Sequence, residues 1–128
     1  MADFPAAVFG PELIKLYPEA KVIITDRSED SWVSSIKRTV VAPGMRQRED
    51  QGTALRYAYH KLCWNDDFDT NGRKFWREYN RQVRALADPD RLFVYELGEG
   101  WDRLCKFLGK TIPEVEYPNN DEARSTAT

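Results

Sequence analysis

One stretch of this chain, residues 20–35, restricts its possible folds more than any other. Its first half contains the continuous apolar run 22–24, Val-Ile-Ile, bounded by charged residues. Such β-branched runs are typical of strands covered on both faces of a parallel sheet. Its second half begins with Ser28, a good helix N-cap, followed by two acidic residues suited to a first helical turn. We therefore expect a buried strand that ends near Arg27 and passes directly into a helix.

This corner is a candidate anion-binding site. Open α/β sheets bind ligands at the carboxyl ends of their strands, and helix N-termini favour negative charge. Arg27 lies at this junction and offers a planar fork of donors that suits phosphate oxygens. A salt bridge from Arg27 to Asp26, Asp30 or Glu96 is an equally good interpretation, so both stay open at this point.

The remaining chain predicts further helices and one more strand. Apolar residues at helical spacing indicate helices over 28–39, 54–64, 75–86 and 101–108, and another within 4–17 that begins or kinks at Pro11. The run 92–95 is the second strand, and 65–72 is a polar loop. Buried strands separated by helices predict an α/β fold, mostly helical, with a small parallel sheet whose strands lie near 21–26 and 91–96. We expect one domain over 1–118 and a disordered tail over 119–128.

Composition excludes several classes of function. The 128 residues carry a net charge of −2, so no global field attracts the chain to nucleic acid. No apolar run is long enough to span a membrane and no secretory leader is visible, so we expect a cytoplasmic protein that binds neither membrane nor nucleic acid. Cys63 and Cys105 are expected to be reduced core thiols.

A second motif offers a different function. The pattern Asp67-x-Asp69-x-Asn71-Gly72 followed by Glu78 fits the calcium loop of an EF-hand. Its oxygen ligands alternate, and the glycine would provide the sharp turn. The competing interpretation is an acidic turn that leads into a helix, with Thr70 or Asn71 as the N-cap.

The order of the motifs resembles the carboxyl-terminal half of the sulfotransferase-like family, within the P-loop fold superfamily. The resemblance covers roughly residues 3–120 and is weakest in the middle. It is carried by three groups of residues: Asp3-Phe4-Pro5 with Leu13 and the run 17–23; Arg27 with Trp32 and Ser35; and the run 91–96 with 99–101, 104–105, 107–109 and 117–118.

The resemblance implies a three-layer P-loop-type fold and the cofactor 3′-phosphoadenylyl sulfate. Arg27 and Ser35 match the family's positions that hold the cofactor's 3′-phosphate, and Ser34 is the neighbouring hydroxyl. Asp3 matches an acidic position near the transfer site and is the predicted catalytic residue. The product nucleotide 3′-phosphoadenosine 5′-phosphate should bind the same positions, and the second substrate would be a small molecule.

One part of the family's pattern is missing. The sequence contains no glycine-rich loop of the G-x-x-x-x-G-K-[ST] kind, which would hold the phosphosulfate. We therefore expect an incomplete, truncated fold that is inactive in sulfuryl transfer alone. The strand over 22–24 would then keep an open edge, and open edges pair with other chains. This predicts a homo-oligomer or a partner chain that carries the missing half, unless the edge has repacked.

Two other functions remain alternatives. One is a small-molecule enzyme of the secondary-metabolite type that reuses the remaining cleft. The other is a non-catalytic interaction module, acting through the open edge or through calcium at residues 67–78.

Overall fold

The computed structural model describes residues 6–42 and 53–118, and only the backbone of residues 53–56. The predictions for Asp3 and for the tail over 119–128 lie outside the described residues, and the single-domain assignment stays a prediction. The helices are α1 (Gly10–Leu16), α2 (Glu29–Ile36), α3 (Thr53–Trp64), α4 (Phe68–Leu86) and α5 (Asp102–Leu108), and the strands are β1 (Val22–Asp26) and β2 (Leu92–Glu96).

The two strands form a parallel sheet, as predicted. Val22 lies opposite Leu92, and the register continues to the pair Asp26 and Glu96. Parallel strands need a crossover connection, and the segment between β1 and β2 contains the helices α2, α3 and α4. The fold is therefore α/β, mostly helical with a small parallel sheet.

The sheet is covered differently on its two faces. On one face Ile14 of α1 and Val83 of α4 form a buried cluster against Val22 and Ile24. On the other face Phe93 of β2 stacks on Phe107 of α5, with ring centroids 5.2 Å apart. Helices thus lie on both faces, which gives the expected layers of helix, sheet and helix.

A second core joins the three helices between the strands. Val33 and Ile36 of α2 pack with Trp64 of α3 and Phe68 of α4. Trp64 is the most buried of these, with 1% of its surface exposed. Trp32, one turn before Ile36, also packs against this cluster, and this apolar face holds α2 against α4.

The polar segment before α4 is shorter than predicted. We expected a loop over 65–72, but α4 begins at Phe68. Asn65 and Asp66 adopt left-handed backbone angles, with φ of 53° and 59°, which asparagine and aspartate tolerate better than most residues. Asp67 then caps the helix by accepting a hydrogen bond from the backbone N–H of Thr70 at 3.1 Å. The predicted caps Thr70 and Asn71 are therefore wrong by about one turn.

Other helix ends follow the sequence signals more closely. Ser28 caps α2 as predicted, accepting a hydrogen bond from the N–H of Ser31 at 3.2 Å. The α-helix ends at Ile36, before the predicted end at 39, and continues as a π-helical turn over Lys37–Val41. Gly109 ends α5 with φ of 65°, as expected for a glycine after a helix. None of the helices in the described ranges has both the length and the hydropathy needed to cross a bilayer.

Candidate functional site

The carboxyl ends of both strands meet at one corner of the sheet. Asp26 and Glu96 are the last residues of β1 and β2 and lie opposite each other. Arg27 and the cap Ser28 follow β1 directly, and α2 begins at Glu29. The sequence therefore placed the corner correctly: a strand, an arginine and a helix start follow one another without an intervening loop.

The side chain of Arg27 lies along the first turn of α2. Its Nη2 donates to the hydroxyl of Ser31 at 2.8 Å and to the Ser31 carbonyl at 3.2 Å. Its Nε is buried and has no hydrogen-bond partner in the described part of the protein. Arg27 is half-buried. A guanidinium in this position is held in place and keeps an unused donor.

The salt-bridge interpretation of Arg27 is wrong. Within residues 6–42 and 53–118, none of the three proposed carboxylates pairs with it. Asp26 lies 3.6 Å from Arg84, and Asp30 lies 2.7 Å from Arg73. For Asp26 and Asp30 the reason is geometric, because α4 presents its own arginines to this corner.

The predicted hydroxyl ligands lie further along α2. Ser35 is half-buried and Ser34 is exposed. The carbonyl of Ser35 accepts a hydrogen bond from the Thr39 hydroxyl at 2.7 Å. Arg27, Ser31 and Ser35 recur at intervals of four residues, the spacing of neighbours on one side of a helix.

Ser31 was missed by the sequence reasoning. The resemblance pointed to position 35, whereas the direct hydrogen-bond partner of Arg27 is the hydroxyl at 31. The four-residue spacing between Arg27 and Ser31 could have identified it. The assignment of Ser34, Ser35 and Arg27 to a ligand stays a prediction.

Charge at the corner is arranged around Glu29. Arg77 contacts both carboxylate oxygens of Glu29, with Nε to Oε2 at 2.7 Å and Nη2 to Oε1 at 2.8 Å. Arg73 Nη1 donates to Oε1 at 2.8 Å. The hydrogen bonds from Arg77, and then those from Arg73, lower the pKa of Glu29. Glu29 is therefore ionised at neutral pH and fixes the start of α2 to α4.

The calcium interpretation of residues 67–78 is wrong. The segment is continuous helix from Phe68, so its oxygen atoms do not encircle a common centre as those of a calcium loop do. Asp69 pairs with Lys37 at 2.6 Å, and Glu78 pairs with Arg81 at 2.6 Å. Among the described residues no cluster of three or more histidine, cysteine or acidic side chains could hold a metal ion.

A large cleft among the described residues lies elsewhere. It has a volume of about 880 Å³ and lies between α1, α4 and the end of α3. Its lining includes the apolar side chains Val8, Leu62 and Phe75, but not Arg27, Ser34 or Ser35. Cys63 also lines it, and burial raises the pKa of this thiol to about 11. Cys63 and Cys105 are both free thiols, as predicted, and at neutral pH Cys63 is a poor nucleophile.

Comparison with known proteins identifies the family. The family model described as the sulfotransferase domain matches residues 1–126. The chain belongs to the sulfotransferase domain family. This confirms the resemblance drawn from the motifs.

A curated relative of this sulfotransferase-family chain is the "Ava biosynthesis cluster protein M" of Aspergillus versicolor. It is 29% identical over 136 residues, a match that covers 93% of this chain and 52% of the relative. The chain thus spans about half the length of the relative it matches.

Proposed function

We propose that this chain provides the 3′-phosphate-binding corner of a sulfotransferase nucleotide site. Arg27 is the principal anion ligand, and Ser35, with Ser34 beside it, supplies hydroxyls. The observation that carries the proposal is the buried Nε of Arg27, which has no hydrogen-bond partner among the described residues. A buried donor left unpaired is costly, and a phosphate oxygen would satisfy it.

The residues present fit one end of the family's cofactor. The unused donor of Arg27 and the hydroxyls spaced along α2 suit a phosphate monoester. When bound, 3′-phosphoadenylyl sulfate would supply the sulfuryl group for transfer. Arg27 binds and orients the ribose phosphate, and its hydrogen bonds to Ser31 hold the guanidinium against α2.

The same chain is proposed to be inactive in sulfuryl transfer by itself. Its 128 residues contain no glycine-rich phosphate loop. Sulfuryl transfer depends on positioning and charge stabilisation at the group transferred, so loss of that loop should abolish turnover. Asp3 remains the proposed acidic residue near the transfer site.

The open side of β1 is proposed to accept another chain, either a second copy or a partner that carries the remaining sheet. Ile23 and Phe93 are register partners on the same face of the sheet, yet Ile23 is 43% exposed and Phe93 only 8%. In the described ranges the sheet has two strands, so the outer edge of β1 lacks a neighbouring strand. Unpaired strand edges favour association.

A second candidate is an enzyme acting on a small organic molecule. The name of the relative, a biosynthesis cluster protein, favours this class. The cleft of about 880 Å³ between α1 and α4 is large enough for such a substrate.

Titration calorimetry with 3′-phosphoadenosine 5′-phosphate tests the main proposal. We expect binding by the unaltered chain and a loss of affinity of at least about tenfold in Arg27→Ala, since a hydrogen bond to a charged group contributes roughly 1.5–3 kcal/mol. Arg81→Ala is the matched control, because Arg81 pairs with Glu78. A folded, unaltered chain that does not bind the nucleotide would refute the site.

A further inference from the structure

Three carboxylates flank the proposed anion ligand. Asp26 precedes Arg27, and Glu29 and Asp30 follow within three residues. Left free, these groups would pair with the guanidinium and repel a phosphate, because like charges a few ångströms apart disfavour each other strongly. An anion site at this corner therefore needs other cationic groups that hold the carboxylates away from Arg27.

The arginines of α4 that face the corner are such cationic groups. We call Arg73, Arg77 and Arg84 the arginine stripe. Their spacings of four and seven residues place them on one face of the helix. Every flanking carboxylate is paired with this stripe: Glu29 with Arg77 and Arg73, Asp30 with Arg73, and Asp26 with Arg84.

The pairing is tightest at Glu29. Both of its oxygens are bound by the planar fork of Arg77, at 2.7 and 2.8 Å, and its side chain is only 19% exposed. Such two-point contacts fix direction as well as distance. The contact from Arg84 to Asp26 is looser, at 3.6 Å.

We propose that the arginine stripe holds Asp26, Glu29 and Asp30 away from Arg27 and so keeps its guanidinium available for an anion. The stripe residues are positioning residues, since they act through the carboxylates. The effect of the stripe on phosphate affinity rests on the proposed function. The structural content of the inference, a guanidinium kept free of ion pairs, can be measured without any ligand.

Arg81 provides the contrast within the same helix. It pairs with Glu78 one turn away, with Nη2 to Oε1 at 2.6 Å. Removal of Arg81 changes the charge of α4 by the same amount as removal of Arg77 but releases no carboxylate of the corner. Arg81→Ala is therefore the matched control for Arg77→Ala.

The first test is the N–H signal of Arg27 Nε in ¹⁵N–¹H spectra, assigned by its loss in Arg27→Lys. We expect the signal to shift in the double variant Arg73→Ala/Arg77→Ala, as the released carboxylate of Glu29 pairs with Arg27. Addition of Glu29→Gln to the double variant should return the signal to its original position. The control Arg81→Ala, made alone, should leave the signal at the position it has in the unaltered chain. An unchanged signal in the folded double variant overturns the inference. If that variant does not fold, Arg77→Ala alone is compared with Arg77→Ala/Glu29→Gln.

The second test is affinity for 3′-phosphoadenosine 5′-phosphate. We expect Arg77→Ala to weaken binding about tenfold, and Arg77→Ala/Glu29→Gln to restore it to within about twofold. If Arg77 were only a structural tether, Glu29→Gln would not restore binding, and this result would overturn the inference. If the Arg27 signal behaves as expected but the unaltered chain does not bind the nucleotide, the proposed function fails while the inference stands.

Discussion

Gly72 shows how one residue type at one position can support two opposite interpretations. In the calcium-loop pattern it would provide a sharp turn. In the structure it lies inside α4, where the ring of Phe68 covers it. Phe68 in turn packs against Trp64, with centroids 5.0 Å apart. The absence of a side chain at 72 therefore leaves room for an aromatic ring in the core between α2, α3 and α4.

Gly72→Ala tests this role. An added Cβ would lie 2.6–2.9 Å from ring atoms of Phe68, which is too close for carbon atoms in contact. Alanine gains about 1 kcal/mol in helix propensity, but overpacking a core costs roughly 1–3 kcal/mol. We expect a net loss of about 1 kcal/mol in the free energy of unfolding, measured by urea denaturation.

Lys74→Ala, at an exposed site of the same helix, controls for propensity alone and should change stability little. A Gly72→Ala variant more stable than the unaltered chain would contradict the packing role.

Single residues were predictable where their signal is local. Ser28 acts through a hydrogen bond to the first turn of its own helix, and it was identified. The cap of α4 was missed because residues 66–71 contain several side chains that can cap a helix. Asp67 is the cap because of the path that the chain takes out of α3, and the spacing of residues in the sequence does not show that path.

At the level of elements, the strands were the most predictable parts. Their apolar runs have no competing helical period, and the predicted bounds near 21–26 and 91–96 differ by one residue from Val22–Asp26 and Leu92–Glu96. The first two turns of α4 are mostly polar, so their helical state depends on the cap and on Phe68 in the core. Local pattern could not supply that tertiary contact.

The junction of α2 with α4 should be sensitive to acid. Hydrogen bonds from Arg77 and Arg73 hold the pKa of Glu29 below its ordinary value of 4.5. A depressed pKa adds stability that is complete above pH 4.5 and is lost as the pH falls through the lowered pKa of the folded protein. We expect the unaltered chain to exceed Glu29→Gln in melting temperature at neutral pH, and this gap to close in acid.

Circular dichroism melts between about pH 3 and pH 7 measure the gap, since other carboxylates titrate in both proteins and cancel in the difference. A difference in melting temperature that stays constant over this range would show that the ionised form of Glu29 does not stabilise the junction.

At the scale of the whole molecule, the two strands of the sheet are covered to different extents. Helices cover β2 on both faces, whereas Ile23 of β1 is 43% exposed. If the open side of β1 accepts a second copy, sedimentation velocity should show a mass that rises with concentration. Ile23→Lys should shift the chain toward monomer, because a charge at a strand edge opposes pairing.

Leu62→Lys is the control, since Leu62 is 67% exposed but lies on α3. A monomer at every concentration would rule out self-association and leave a different partner chain as the remaining form of the proposal.

At the scale of the whole molecule, the candidate site was only partly predictable from the sequence. Arg27 could be located because the strand, the arginine and the helix are consecutive in sequence. The arginine stripe could not, since Arg77 and Glu29 are brought together only by the packing of α2 on α4. Sequence spacing identifies groups that share an element, and charge pairs between elements need the tertiary fold.

The parallel register also has a consequence for the order of synthesis. Val22 pairs with Leu92, so residues that pair in the sheet lie seventy positions apart in the sequence. On the ribosome, α3 and α4 are available to pair early, because only three residues separate them. The sheet, and with it the finished environment of Arg27, can assemble only after β2 has been made. A nascent chain that ends before Leu92 would therefore leave the inner edge of β1 without the strand that hydrogen-bonds to it.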